Sequence, residues 1–125
     1  MLSKFKSQTL YVQIKENQFI IKSVQENKTI TLDASTPFST NRLLVGEFTI
    51  AEKLLTTGFE KILNTFLNPI VIMHPIDKID EKLSEVEEKC LKELALNAGA
   101  REVRLWIGDE LTDEELLQPP KEPSS

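Results

Sequence analysis

The chain has 125 residues, 40% of them hydrophobic, a formal net charge of −5 at pH 7 and one cysteine. That length supports one buried core rather than two, the acidic balance disfavours broad nucleic-acid binding, and the single thiol of Cys90 excludes an internal disulfide or a multi-thiolate metal site. The longest apolar runs, such as Ile70 to Met73, fall far short of the ~20 residues of a transmembrane segment, and no apolar block near the N-terminus has the form of a signal peptide, so a cytoplasmic protein is expected.

Residues 1–8 read as a flexible start, in which Lys4 and Lys6 around Phe5 offer either a membrane-surface or partner contact or a solvated end. From Thr9 to Ile14, Leu10, Val12 and Ile14 alternate with Tyr11 and Gln13, the period-two signature of a half-buried strand. Lys15-Glu16-Asn17 reads as a turn. Gln18 to Val24 and Lys28 to Asp33, rich in β-branched and aromatic residues and separated by Gln25-Glu26-Asn27, complete an antiparallel meander. Ala34 to Asn41 has loop composition, and Arg42 to Phe48 offers one more short extended stretch.

Thr49-Ile50-Ala51-Glu52 has the form of a capping box and predicts a helix start. Ile50, Leu54, Leu55, Phe59, Ile62, Leu63 and Phe66 then recur on one helical face, and Asn68-Pro69 ends the helix. Gly58 weakens it by about 1 kcal/mol relative to alanine and marks close packing. Pro69 to His74 is a nearly continuous apolar run, as expected of a strand covered on both faces at the sheet centre. Ser84-Glu85-Val86-Glu87 is a second capping box, opening a helix with the stripe Val86, Cys90, Leu91, Leu94, Ala95 and Ala98 and with Gly99 at its C-terminal cap. Glu102 to Ile107 alternates as a last strand, and residues 109–125 read as a short helical turn and a disordered tail. The predicted order is β-β-β-α-β-α-β: an α/β domain over 9–108, with a mixed five-stranded sheet, right-handed crossovers and helices packed on it.

Chemistry is sparse along this chain. His74 is the single histidine and stands at the carboxyl end of a strand, where open α/β sheets place ligand groups. Two readings of it stand: a strand-end structural residue, or a ligand or acid–base group. Asp77, Asp80 and Glu81 follow it and form either a solvated charge cluster or, if phosphates approached from elsewhere, water-mediated Mg²⁺ ligands. The four glycines are isolated, so no phosphate-cradling loop is present. Cys90 sits on an apolar stripe as a core thiol, and no serine or threonine occupies a nucleophile elbow. No cofactor, metal site or complete catalytic site is expected. Trp106 alternates away from Val103, Leu105 and Ile107 and lies beside Arg104, leaving it either a binding hot spot or a second-face core residue.

The segments Ser84-Glu85-Val86-Glu87-Glu88-Lys89 and Ala98-Gly99-Ala100-Arg101-Glu102-Val103, with Ala51-Glu52-Lys53-Leu54-Leu55 upstream, resemble the bacterial actin-like rod shape-determining protein MreB over about Leu10 to Ile107. The resemblance implies a single ribonuclease-H-like/actin-like domain. It also implies a protein-interaction or assembly role in cell shape or cytoskeletal organisation, with a protein partner or self-association through an exposed strand edge or helix face; by residue type and place on the last strand, Arg101, Arg104 and Trp106 are the expected contacts. The departures matter as much. Where the family has an Asp-Leu-Gly-Thr phosphate loop, this chain has Gln13-Ile14-Lys15-Glu16, and the family's second phosphate loop and adenosine pocket have no counterpart. Glu85 falls on the position of a family glutamate associated with hydrolysis, yet without nucleotide it reads as a first-turn helix charge. ATP binding and hydrolysis are therefore not expected, and the alternative is a small ligand-binding or enzyme domain built on His74, Asp77 and Asp80.

Overall fold

A computed structural model describes residues 7–78 and 83–117. The basic cluster at Lys4 to Lys6, the carboxylates Asp80 and Glu81, and the Pro119-Pro120 tail lie outside these described residues. The elements are β1 (Thr9–Lys15), β2 (Gln18–Ser23), β3 (Lys28–Asp33), α1 (Phe48–Ile62), β4 (Ile70–Pro75), α2 (Glu85–Ala98), β5 (Glu102–Leu105) and α3 (Asp113–Leu117). They form a five-stranded mixed sheet in the order β3-β2-β1-β4-β5, in which β2 alone opposes its neighbours. The apolar strand β4 is internal, as its sequence requires, but the middle position belongs to β1.

The connections β3-α1-β4 and β4-α2-β5 both join parallel strands and step across the sheet in one direction. Right-handed crossovers then place both helices on one face, where α1 and α2 pack against each other. That face holds the main core: Leu10, Val12 and Ile14 of β1, Phe19 and Ile21 of β2, Leu32 of β3, and Val71 and Met73 of β4 meet Leu55, Phe59, Leu91 and Leu94. Gly58 is the point of closest approach. A Cβ there would lie 2.3 Å from Leu32 Cδ1 and 2.7 Å from Ile21 Cδ1, so the helix lies against the β2–β3 pair only because that position has no side chain.

The intervening side chains face the other way, and a smaller cluster forms there from Tyr11, Val24, Ile72, Leu111 and Leu116, with Trp106 packed against it. Residues 109–117, rather than a long helix, cover this second face. The alternation that makes β1 half-polar in the sequence therefore hides a buried tyrosine, 3% exposed.

Local signals held unevenly. Ser84 caps α2 through the full reciprocal box with Glu87, and Gly99 ends the helix at φ 123°. Thr112 and Glu115 make a similar exchange at the start of α3. The box read at Thr49 is absent: the cap lies two residues earlier, at Glu47, with no side-chain cap bond, because Phe48 packs against the core and draws Thr49 into the first turn. Glu52 instead accepts a hydrogen bond from Asn97 of α2 at 2.8 Å.

At its other end α1 stops at Ile62, not at Asn68. Gln8 captures that end, its side-chain oxygen accepting from the Asn64 amide at 2.7 Å and its nitrogen donating to Ser23 Oγ at 2.7 Å. Phe66, placed by periodicity on the buried face, is consequently 86% exposed. Gln8 itself, which its position assigns to a flexible start, is buried. Val86, counted on the α2 stripe, is 78% exposed, and residues 42–47 form a loop rather than a strand.

Candidate functional site

The parallel strands β1 and β4 deliver their carboxyl ends to one edge of the sheet, and His74 sits there with 4% of its surface exposed. Its side chain lies on the second face with that of Tyr11, whose ring stacks on the imidazole with centroids 5.7 Å apart. Both ring nitrogens are engaged: Nε2 lies 2.9 Å from the Gly108 carbonyl oxygen and Nδ1 lies 2.5 Å from the Tyr11 hydroxyl. A carbonyl can only accept, so Nε2 carries the proton and Nδ1 accepts from Tyr11. The Tyr11 oxygen in turn accepts from the Leu111 amide at 3.2 Å. Burial lowers the His74 pKa from its ordinary 6.5, against the raising effects of its contact with Gly108 and the charge of Glu110. Burial likewise raises that of Tyr11. In this state His74 has no free lone pair to offer a metal or substrate; it ties β1 and β4 to the C-terminal segment.

A hollow of about 390 Å³ opens beside it, lined by Gln13, His74, Gly108, Asp109 and Glu110 among others. Asp77 is not in that lining. Its carboxylate accepts from the Glu16 amide at 2.9 Å, holding the end of β4 to the β1–β2 turn, and Lys78 pairs with Glu16 at 3.6 Å. The proposed trio of His74, Asp77 and Asp80 is thus not seen as one constellation: the first two engage different partners, and Asp80 lies outside the described residues.

The β1–β2 turn is built around Asn17, which takes the left-handed conformation at φ 56°. Its side-chain oxygen accepts from the amides of Phe38 at 2.9 Å and Ser39 at 2.8 Å, and its own amide donates to Ser39 Oγ at 3.0 Å. The loop after β3 is therefore folded over the turn, with Phe38 fully buried and stacked on Phe19 at 4.8 Å between centroids. The space over the turn is filled by the protein's own amides and one aromatic ring.

Arg101 precedes β5 and is exposed; Arg104 within β5 and Trp106 directly after it are half-buried. Arg104 is bonded to Glu102 on its own strand at 2.8 Å. Trp106 packs against the second-face cluster and donates from Nε1 to the Asp109 carbonyl at 2.8 Å. The tight turn beneath it needs Gly108, at φ 146°, where a Cβ would lie 3.0 Å from the indole. Trp106 thus lies against the second-face cluster and remains partly exposed.

Cys90 is half-buried and borders a small apolar hollow of about 100 Å³ between the 43–45 loop and α2, with Leu44, Leu83 and Leu91. Burial, then the nearby Glu93 and Glu87, raise its pKa, which leaves the thiol a poor nucleophile. Glu85 is exposed in the first turn of α2. Among the described residues no group of three or more His, Cys, Asp and Glu side chains is placed to hold a metal ion, and no helix is long and apolar enough to cross a membrane.

The residues that organise this edge, Tyr11, Asn17 and Gly108, escaped reading from the sequence. Asn17, an asparagine in a two-residue turn, carried a recognisable signal for positive φ; nothing local revealed that its side chain would bind residues 21 positions away. No family model matches the chain. It is similar to the uncharacterized protein YjaA of Escherichia coli (strain K12), at 28% identity over 103 residues, a match covering 76% of this chain and 80% of that protein.

Proposed function

We propose that the chain is a non-catalytic domain of the MreB-like, actin-like kind that serves as a protein-interaction or assembly module in bacterial cell-shape or cytoskeletal organisation, in the cytoplasm. The observation that carries this reading is the closed β1–β2 turn. In an actin-like chain that hairpin presents amides to phosphate; here the Asn17 side chain and the Phe38 and Ser39 amides satisfy one another. The element order β-β-β-α-β-α-β agrees with an actin-like first subdomain. The His74 alternative loses support because both ring nitrogens are committed to the fold.

What remains for function is surface. In the sheet order β5 is a terminal strand, with β4 as its neighbour, and the edge of a sheet is a template for another chain. Arg101, Arg104 and Trp106 line that edge and are the proposed contacts.

Two measurements test the reading. Purified protein should show no thermal shift with Mg-ATP, and a clear shift would count against it. It should also sediment with assembled bacterial MreB or associate with itself in a concentration-dependent way, and Arg101→Glu with Arg104→Glu should weaken that association at least tenfold. A wild-type protein that stays monomeric and ignores the filaments would overturn the proposal.

A further inference from the structure

The segment from Gly108 to Leu117 lies across the second face of the sheet like a strap. Its apolar contribution is small: Leu111 and Leu116 are its only fully buried side chains, and they rest on Tyr11, Val24, Ile72 and Trp106. Polar contacts therefore carry an unusual share of the attachment. At the outer end Asp113 pairs with Lys22 of β2 at 2.5 Å, where both groups are partly exposed and the pair is worth little. At the inner end the attachment runs through His74: Nε2–H donates to Gly108, while Nδ1 accepts from the Tyr11 hydroxyl whose oxygen accepts from Leu111. One imidazole thus orients both backbone bonds that hold the start of the strap.

We propose that His74 is the catch of an acid-released strap, in which protonation of its ring frees residues 108–117 from the sheet and uncovers Tyr11, Ile72 and Trp106. In the neutral ring the hydrogen bonds run in one direction, from the Leu111 amide to Tyr11 to Nδ1. A proton on Nδ1 reverses the last of them. The Tyr11 oxygen then faces two donors, Nδ1–H and the Leu111 amide, and its hydroxyl hydrogen loses Nδ1 as acceptor and must turn away from the ring. Opening the strap gives the imidazolium water and relieves the conflict.

The charged and titratable groups around the ring among the described residues are few. Tyr11 faces it from β1, Asp109 and Glu110 face the same hollow from the strap, and Glu115 of α3 acts on Tyr11 from further off. Gln13 is neutral. The carboxylates favour the cation, but burial outweighs them, so the closed state holds the ring below its ordinary 6.5. The sign follows: a depressed folded pKa means that the catch is fully effective above pH 6.5 and is lost as pH falls below that value. The inference stands on this geometry and not on the assembly reading.

The chain has one histidine and one tryptophan, so both ends of the event are visible in the unmodified protein. Between pH 7.5 and 5.5, Trp106 emission should shift to the red. Amide exchange in residues 108–117, corrected for its intrinsic pH dependence, should accelerate up to about tenfold per pH unit. Exchange in β1 and β4 and the far-ultraviolet circular dichroism should stay constant. The midpoint should coincide with the histidine ring titration followed by proton NMR. His74→Gln, which keeps a donor and an acceptor but does not titrate, should remove the transition. If that variant does not fold, coincidence of the NMR and exchange midpoints in wild type decides the matter. A strap whose exchange is unchanged across the histidine titration, a transition that persists in His74→Gln, or loss of the whole fold at the same pH would each overturn the proposal.

Discussion

Asn17→Ala is expected to lower the unfolding free energy by about 2–4 kcal/mol, a large effect for a turn residue outside the main core. Two causes add. The Phe38 and Ser39 amides lose their acceptor, and an unpaired donor costs about 1–3 kcal/mol when buried and less where water reaches it. Alanine must also hold φ near 56°, which costs an L-residue without a short polar side chain about 1–2 kcal/mol. Asn17→Asp keeps an acceptor and Asn17→Gly keeps the backbone, so urea denaturation should rank the variants Asp, Gly, Ala in falling stability. An alanine variant within about 0.5 kcal/mol of wild type, the usual range for surface substitutions, would show that the turn does not clamp the loop.

Phe38→Ala should cost more, about 3–5 kcal/mol, the range for removing a fully buried aromatic side chain. Phe38 has no exposed surface and stacks on Phe19 with an interplanar angle of 11°. Against a typical total of about 5–15 kcal/mol, that loss should leave a substantial unfolded population at moderate temperature. The two substitutions should also be strongly sub-additive. Asn17 and Phe38 secure the same loop, and once either is removed the other contact loses its support. A double variant whose cost equals the sum of the single costs would mean that the loop is held piecewise.

These two residues also show where the sequence is legible. The strands and helices announce themselves through period-two and period-3.6 patterns, and the boxes at Ser84 and Thr112 are local enough to be read directly. The loop after β3 has the Ser, Thr and Pro composition of a solvated connection, yet it contributes Phe38 and Leu44 to the core. Composition averages over such a segment and hides the one ring that is buried. The end of α1 is hidden from the sequence for a related reason. The apolar pattern continues through Leu63 and Phe66, and only the distant Gln8, bonded to Asn64, reveals that the chain turns away.

The candidate site was legible in one respect: His74 stands at the carboxyl end of an internal strand. Its role was not legible, because its partners lie 63 positions earlier at Tyr11 and 34 later at Gly108. The alternation that turns Trp106 from the helix face was correct, but the cover on its own face is a short segment with no long periodic pattern. Asp77 stands close to His74 in sequence, yet its carboxylate turns to the amide of Glu16.

The strand order carries a consequence for how the chain reaches this structure. Turns of two and four residues join β1, β2 and β3, so the meander closes small loops and can form early. The other side of β1 must wait for β4, which arrives only after α1, and β5 arrives later still. During synthesis, a ribbon carrying Leu10, Val12, Ile14, Phe19 and Ile21 on one face would wait with its inner edge unpaired, the kind of intermediate that aggregates. Pulse-labelled hydrogen exchange during refolding should find the β2–β3 amides protected before those joining β4 to β5; simultaneous protection of all five strands would rule out this order of assembly.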